Sequence, residues 1–159
     1  MLDDRRIFLS TGYKRGCTLL EIQGDELEPL YEKQTMSNHM NNCVVDDGFM
    51  YGFDGNAHRG RTVRLVCIEI ESGEQQWSQL GMGCGSLMIA GDKLVVLGEK
   101  GELIIGELNS KQWVERSRTQ AIDYRCWTVP VLANGQVFCR NDAGDLSCID
   151  LRRSTRTPN

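Results

Sequence analysis

Hydrophobic residues in this chain fall in short runs: RIFLS, TLLEI, FMYGF, RLVCIEI, SLMIA, KLVVL, ELIIGEL, QVFCR and LSCIDL. No segment keeps a 3.6-residue amphipathic period over three turns, so little helix is predicted. The runs are rich in Val, Ile, Leu and aromatic residues and are often apolar on both sides, as in strands buried on both faces. Between them stand Asp47-Gly48, Gly91-Asp92 and Asn134-Gly135, dipeptides that supply the positive φ of tight antiparallel turns. The clearest stretch is 126–151. WTVPVL, the turn Ala133-Asn134-Gly135, QVFCR, the turn Asp142-Ala143-Gly144 and LSCIDL read as three successive strands.

The second turn residues, Gly48, Asp92 and Gly135, stand 44 and 43 residues apart, and one further step back falls on Arg5, just before RIFLS. A period of about 43 residues lies near that of four-stranded propeller blades. With strands named A to D from the ring axis outward, the units are 1–37, 38–81, 82–124 and 125–151, followed by a tail, 152–159. The first unit has B at RIFLST, C at TLLEI and D near ELEPLYEK. The second has NNCVV, FMYGF, VRLVCIEI and QQWSQ, with a longer B–C loop, DGNAHRGRT, that reads as a surface insertion. The third has SLMIA, KLVVLG, ELIIGEL and QWVERS; the fourth has A, B and C alone. The predicted fold is an all-β propeller of about four four-stranded antiparallel blades. Because the first unit lacks strand A and the last lacks strand D, the expectation is an open arc of an eight-bladed ring, part of a longer chain or assembly (a C-terminal fragment), with Met1 an internal or mis-called start.

Charge and composition narrow the function. The formal net charge is −4, which argues against a general nucleic-acid binder. No apolar run approaches the ~18–20 residues of a transmembrane helix, and MLDDRRIFLS holds no apolar core of an export signal. The seven cysteines at 17, 43, 67, 84, 126, 139 and 148 form no CxxC pair. That spacing disfavours a zinc site and fits buried small hydrophobes. Cys139 and Cys148 face each other if the intervening loop has two residues. With a three-residue bulged loop, Cys148 opposes Phe138 instead, and only the first geometry invites a disulfide.

LVCIEIESGEQQW resembles the repeat signature of pyrroloquinoline-quinone-type propellers, G-x-L-x-A-L-D-x-x-T-G-E-x-x-W, and DLSCIDL carries the same strand-C ending. MYGFDG and the segment 128–151 are similar to the last blades of bacterial propellers in the quinoprotein alcohol dehydrogenase-like superfamily, of the outer-membrane assembly lipoprotein type. The resemblance covers 38–151 and, more weakly, 4–33. It implies that Trp77, at the start of strand D, docks between neighbouring blades; Trp113 lacks the Gly-Glu pair and takes no such role. It implies a periplasmic or envelope setting, against which stand the missing export signal and seven cysteines in an oxidising compartment. Dehydrogenases of the superfamily hold pyrroloquinoline quinone and calcium on the axis with acidic ligands, a stacking Trp and often a vicinal disulfide. Here no cysteines are adjacent, and no Asp or Glu occupies the first positions of strand A at 39–41, 83–85 and 126–128. No cofactor or metal is therefore expected.

Those same positions are the best site candidates, because loops of every blade converge at one mouth of the axis. His39, Asn41, Cys84 and Trp127 are expected to line the channel rim and meet a ligand or partner. The plain alternative is packing around Trp127 with a satisfied His. Gly81-Met82-Gly83-Cys84-Gly85-Ser86 does not suit phosphate, since a strand rather than a helix follows. The two histidines give little support to nucleophilic catalysis: His58 lies among Arg59, Arg61 and Arg64 and reads as solvated surface. Arg152, Arg153 and Arg156 read as a frayed end. The predicted function is a non-catalytic propeller scaffold binding a protein or small ligand at a ring face. The alternative is a fragment of a quinone-dependent dehydrogenase. Predicted partners are a protein or the remaining blades.

Overall fold

The computed structural model describes residues 2–59 and 61–152; Arg153 and Arg156 of the tail lie outside them. Fourteen strands and one short 3-10 turn (Ala57–Arg59) make up the fold. Each sheet is an antiparallel meander in chain order. The first contains β1 (Arg6–Thr11), β2 (Gly16–Gln23) and β3 (Glu26–Lys33). The second contains β4 (Val44–Asp46), β5 (Phe49–Asp54), β6 (Arg64–Glu69) and β7 (Gln75–Gln79). The third contains β8 (Ser86–Ala90), β9 (Lys93–Leu97), β10 (Glu102–Glu107) and β11 (Glu115–Gln120). The fourth contains β12 (Val131–Ala133), β13 (Gln136–Arg140) and β14 (Leu146–Asp150). No helix among the described residues is long and apolar enough to cross a membrane.

Turn chemistry sets the registers. Asp46 pairs with Phe49 and Ala133 with Gln136, so these two A–B hairpins close over two residues. Both residues of each loop have positive φ, Asp47 at 43° and Gly48 at 81°, Asn134 at 50° and Gly135 at 75°. That pair of left-handed residues matches the twist of the flanking strands. At the next turn Gly144 has a φ of 94° and Cys148 pairs with Phe138, the bulged-loop register. All seven cysteines are free thiols.

The sheets pack face on face, and each junction is a core. Phe8, Leu19 and Tyr31 of the first sheet meet Met50, Val66 and Ile68 of the second. Tyr51, Phe53, Leu65, Cys67 and Trp77 on the other face of the second meet Leu87, Leu94, Val96 and Ile104 of the third. Val95, Leu97, Leu103 and Ile105 meet Val137, Cys139 and Ile149 of the fourth. Each large side chain buried this way stabilises the stack by about 1.5–3 kcal/mol. The result is an incomplete β-propeller, all-β, with four blade sheets of three, four, four and three strands.

Three elements depart from the sequence expectation. Strand D of the third unit was expected at QWVERS and runs instead over Glu115–Gln120. Trp113 leaves the strand to lie on Gly106, where a Cβ would come within 2.2 Å of its ring, and the β10–β11 register shifts at Ile105/Gly106. The innermost strands expected at NNCVV and WTVPVL shrink to Val44–Asp46 and Val131–Ala133. Pro130 has no N–H to give a ladder, while Asn41 and Asn42 spend their side chains on the third blade. The loop DGNAHRGRT is more than a surface insertion, for its Ala57 is buried in the core between the second and third sheets.

Candidate functional site

In an A–B hairpin the end of strand B returns beside the start of strand A, so both gather at one mouth of the arc. A single backbone bond repeats there. Gly55 N–H donates to Ser37 O (3.0 Å), Glu99 N–H to Met82 O (2.8 Å) and Asp142 N–H to Arg125 O (2.8 Å). Each ties the exit of strand B to the linker that brings the chain in from the preceding blade. On this frame stand two side-chain clusters.

The first cluster runs across the junctions of the second, third and fourth blades. The Asn41 Nδ2 donates to the carbonyls of Cys84 and Gly85, and the Cys84 thiol donates to Asn41 Oδ1 at 2.9 Å. Glu99 joins the next blade: its Oε2 accepts from Cys84 N–H (3.1 Å) and its Oε1 from Trp127 Nε1 (3.4 Å). Arg125 lies 4.7 Å over the Trp127 ring, a cation–π contact. Ser86 Oγ donates to Trp127 O at 3.2 Å. Cys84 is 0% exposed, so it reaches the rim through Asn41 and not directly. Burial, reinforced by the Glu99 carboxylate and opposed by the Asn41 hydrogen bond, pushes its thiol up to about 11. At neutral pH it is a protonated, weak nucleophile.

The second cluster lies between the first two blades. His39 Nδ1 accepts from Ala57 N–H (3.4 Å), which leaves the proton on Nε2 to donate to the Tyr13 hydroxyl at 3.1 Å. The two rings meet edge to face with centroids 5.0 Å apart, and the His58 ring stands 6.5 Å from His39. Tyr13 is presented by a left-handed turn, φ 61° at Tyr13 and 60° at Lys14. Such geometry costs a non-glycine residue of order 1–3 kcal/mol. Asn56 Oδ1 anchors the turn by accepting Tyr13 N–H at 2.8 Å. Gly12 lets the turn approach this closely, since a Cβ there would sit 2.9 Å from both Asn56 Oδ1 and the His39 ring. Tyr13, Lys14, Asp54, Asn56, His58 and Arg59 border a cleft of ≈ 560 Å³.

The four rim candidates therefore divide. Asn41, Cys84 and Trp127 are joined through Glu99, while His39 belongs to the Tyr13 cluster. Trp77 is 9% exposed; its Nε1 donates to Asn109 O of the third blade at 2.9 Å, and its ring packs at a tilt against those of Tyr51 and Trp113, each with centroids 6.0 Å away. His58 is exposed, as read from the sequence, but shares a ring cluster with His39 and Tyr13. Glu99 and Tyr13 escaped the sequence reading. The first sits at a strand-B exit and the second in a B–C turn, whereas the search covered the starts of strand A. The period itself would have pointed to Glu99, which is 44 residues after Gly55 and 43 before Asp142.

The calcium that dehydrogenases of the resembled superfamily hold does not fit these residues. Calcium takes six or more oxygens, several from carboxylates. Glu99 is a single carboxylate with both oxygens already accepting N–H groups, and no three His, Cys, Asp or Glu side chains gather among the described residues.

No protein-family model matches the sequence, and no curated protein does. Among solved structures, the computationally designed Ika4 protein is similar with a TM-score of 0.63 at 12% identity, over 94% of this chain and 88% of that one. The computationally designed Ika8 protein matches with a TM-score of 0.50 at 9% identity, over 93% of this chain and 56% of that one. BamB from Moraxella catarrhalis matches with a TM-score of 0.43 at 15% identity, over 93% and 56%. The two designed proteins support the propeller fold, at identities that speak to fold alone.

Proposed function

We propose that the chain is a non-catalytic β-propeller scaffold that binds a partner at this mouth, with His39, Asn41, Cys84 and Trp127 organising the rim. The observation that carries the reading is the cleft around Tyr13. Three separate segments, 12–16, 37–41 and 54–59, meet there, and the turn that forms its wall is held in a strained left-handed form by Asn56 and His39. Strain maintained by specific side chains is a mark of a functional surface. Lys14, Arg59 and His58 border the cleft, and its one acid, Asp54, already accepts Ser37 N–H at 2.7 Å. On a chain of net charge −4 this local basic character suits an acidic segment of a protein partner. The buried, protonated thiol of Cys84 supports a binding role over nucleophilic catalysis.

The test is a titration of the isotopically labelled chain with a short polyglutamate peptide, and with an uncharged peptide of equal length. The polyglutamate peptide is expected to shift the resonances of Tyr13, His39 and His58. The double variant K14E/R59E is expected to weaken its binding about tenfold or more. No shift at the mouth, or equal shifts from the uncharged peptide, would overturn the reading.

A further inference from the structure

The cleft beside Tyr13 is the first of three. A second, of ≈ 510 Å³, opens at the next junction among Arg61, Leu80, Met82, Glu99 and Lys100. A third, of ≈ 360 Å³, follows among Glu99, Lys100, Tyr124 and Arg125. Neighbouring clefts share walls. The loop between β5 and β6 gives Arg59 to the first and Arg61 to the second, and Glu99 and Lys100 line both the second and the third. The three therefore form one continuous track along the mouth. The turns that carry Lys14 and Lys100 are seated alike. Gly16 and Gly101 close them with φ of 84° and 83°, and a Cβ would lie 2.0 Å from Lys33 O at the one and 1.9 Å from Ile122 O at the other. These glycines stand 85 residues apart, close to two periods of the repeat.

Five exposed cations line the track: Lys14, Arg59, Arg61, Lys100 and Arg125. The first four form no ion pair among the described residues, and Arg125 stands 4.0 Å from Asp142. The acids of the clefts are already engaged. Asp54 accepts Ser37 N–H, Glu99 accepts Cys84 N–H and Trp127 Nε1–H, and Glu102 pairs with Arg118 at 2.9 Å. Tyr13, 65% exposed, and Tyr124, 70% exposed, stand in the first and last clefts. At the opposite end of the sheets the turns carry Asp25, Asp46 and Asp47 instead.

Resting on the reading of the first cleft, we propose that the partner is an extended acidic polypeptide segment that lies along all three clefts. Packed sheets stand about 10 Å apart and an extended chain advances about 3.3 Å per residue, so a segment of roughly eight to ten residues reaches from Lys14 to Arg125. Its carboxylates meet cations that the chain's own acids leave free, and the two tyrosines offer it an apolar ring with a hydroxyl. Once one cleft is filled, contacts at the next become intramolecular, so affinity grows with length until the track is covered. A nucleic acid is the poorer occupant. Its affinity depends on many phosphate contacts, and a chain of net charge −4 repels the parts of a polyanion that extend beyond the track.

The experiment follows the Tyr13 and Tyr124 amide resonances of the labelled chain as triglutamate, decaglutamate and a ten-nucleotide oligothymidylate are added in separate titrations. Decaglutamate is expected to shift both residues with one midpoint, at a concentration about tenfold or more below that of triglutamate. Lys100→Glu is expected to raise the decaglutamate midpoint at Tyr13 about fivefold or more. It is expected to leave the triglutamate midpoint there within about twofold, because three residues span about 10 Å and stay in the first cleft. Lys111→Glu, the same charge change at the far end of the third blade, is expected to leave both midpoints in place. Should Lys100→Glu disturb its turn, Arg61→Glu reads the second cleft in the same way. A decaglutamate midpoint at Tyr13 that ignores Lys100→Glu and Arg61→Glu, or that Lys111→Glu moves as far, would overturn the track and leave the first-cleft reading standing. Tighter binding of the oligothymidylate at these residues would overturn the acidic peptide as occupant. No shift at Tyr13 with either peptide would overturn the reading of the first cleft and the track with it.

Discussion

Asn42 clasps Leu87. Its Nδ2 donates to Leu87 O at 2.6 Å and its Oδ1 accepts Leu87 N–H at 3.3 Å, the pair of bonds a neighbouring strand would make. The amide side chain thus stitches the second blade to the innermost strand of the third, where no ladder runs between sheets. Asn42→Ala removes both bonds from a half-buried seam. It is expected to lower stability by about 1–3 kcal/mol, read as a lower urea midpoint with an unchanged far-ultraviolet spectrum.

Trp77 is the corresponding fastener at the outer edge. Trp77→Phe keeps an aromatic ring between Tyr51 and Trp113 but loses the bond to Asn109 O. It is expected to cost about 1–2 kcal/mol. Trp77→Ala also opens a cavity and is expected to cost about 3–5 kcal/mol. Equal losses in the two variants, measured by denaturant unfolding, would mean that the ring does not bridge the blades.

Gly12 tests the left-handed turn. A methyl group at this position meets Asn56 and His39, so Gly12→Ala is expected to push Tyr13 away from His39. The local cost is about 1–3 kcal/mol. The expected result is loss of polyglutamate binding while the indole emission of the three tryptophans, all outside this turn, stays as in the wild type.

The thiols make the fold sensitive to alkali. Burial pushes Cys84, Cys43 and Cys139 up to about 11 and Cys67 to about 12, and raises Cys17 and Cys126 in the same direction. In the unfolded chain a cysteine titrates near 8.5. A folded value above the unfolded one stabilises the fold fully below the unfolded value, and that contribution is lost as pH rises through the folded one. Urea midpoints are therefore expected to hold steady from pH 7 to about 8, then fall between about 9 and 12. Iodoacetamide at pH 8 is expected to spare all six in the native chain and to modify them once urea is added.

Much of the fold was legible because the repeat is written twice: in turn dipeptides that need positive φ, and in strands apolar on both faces. It failed where one side chain overrode the pattern. Trp113 reads as part of a strand until its ring is seen to fill the space above Gly106, a contact made from the segment before β11 that no local period announces. The site was legible only in part. Asn41, Cys84 and Trp127 stand in the linkers just ahead of each innermost strand, where sequence alignment of the units found them. Glu99 and Tyr13 reach the same mouth from the far ends of hairpins, and their roles depend on which carbonyl or ring lies across the junction.

The central claim is that successive sheets stand in radial order, each tied at the mouth by the same backbone bond. Native-state hydrogen exchange at Gly55, Glu99 and Asp142 tests it most directly. Their amides donate to Ser37, Met82 and Arg125 across 2.8–3.0 Å, so all three are expected to be protected as strongly as the strand amides beside them. Exchange of these three at the rate of an unstructured chain, with the strand amides still protected, would contradict it.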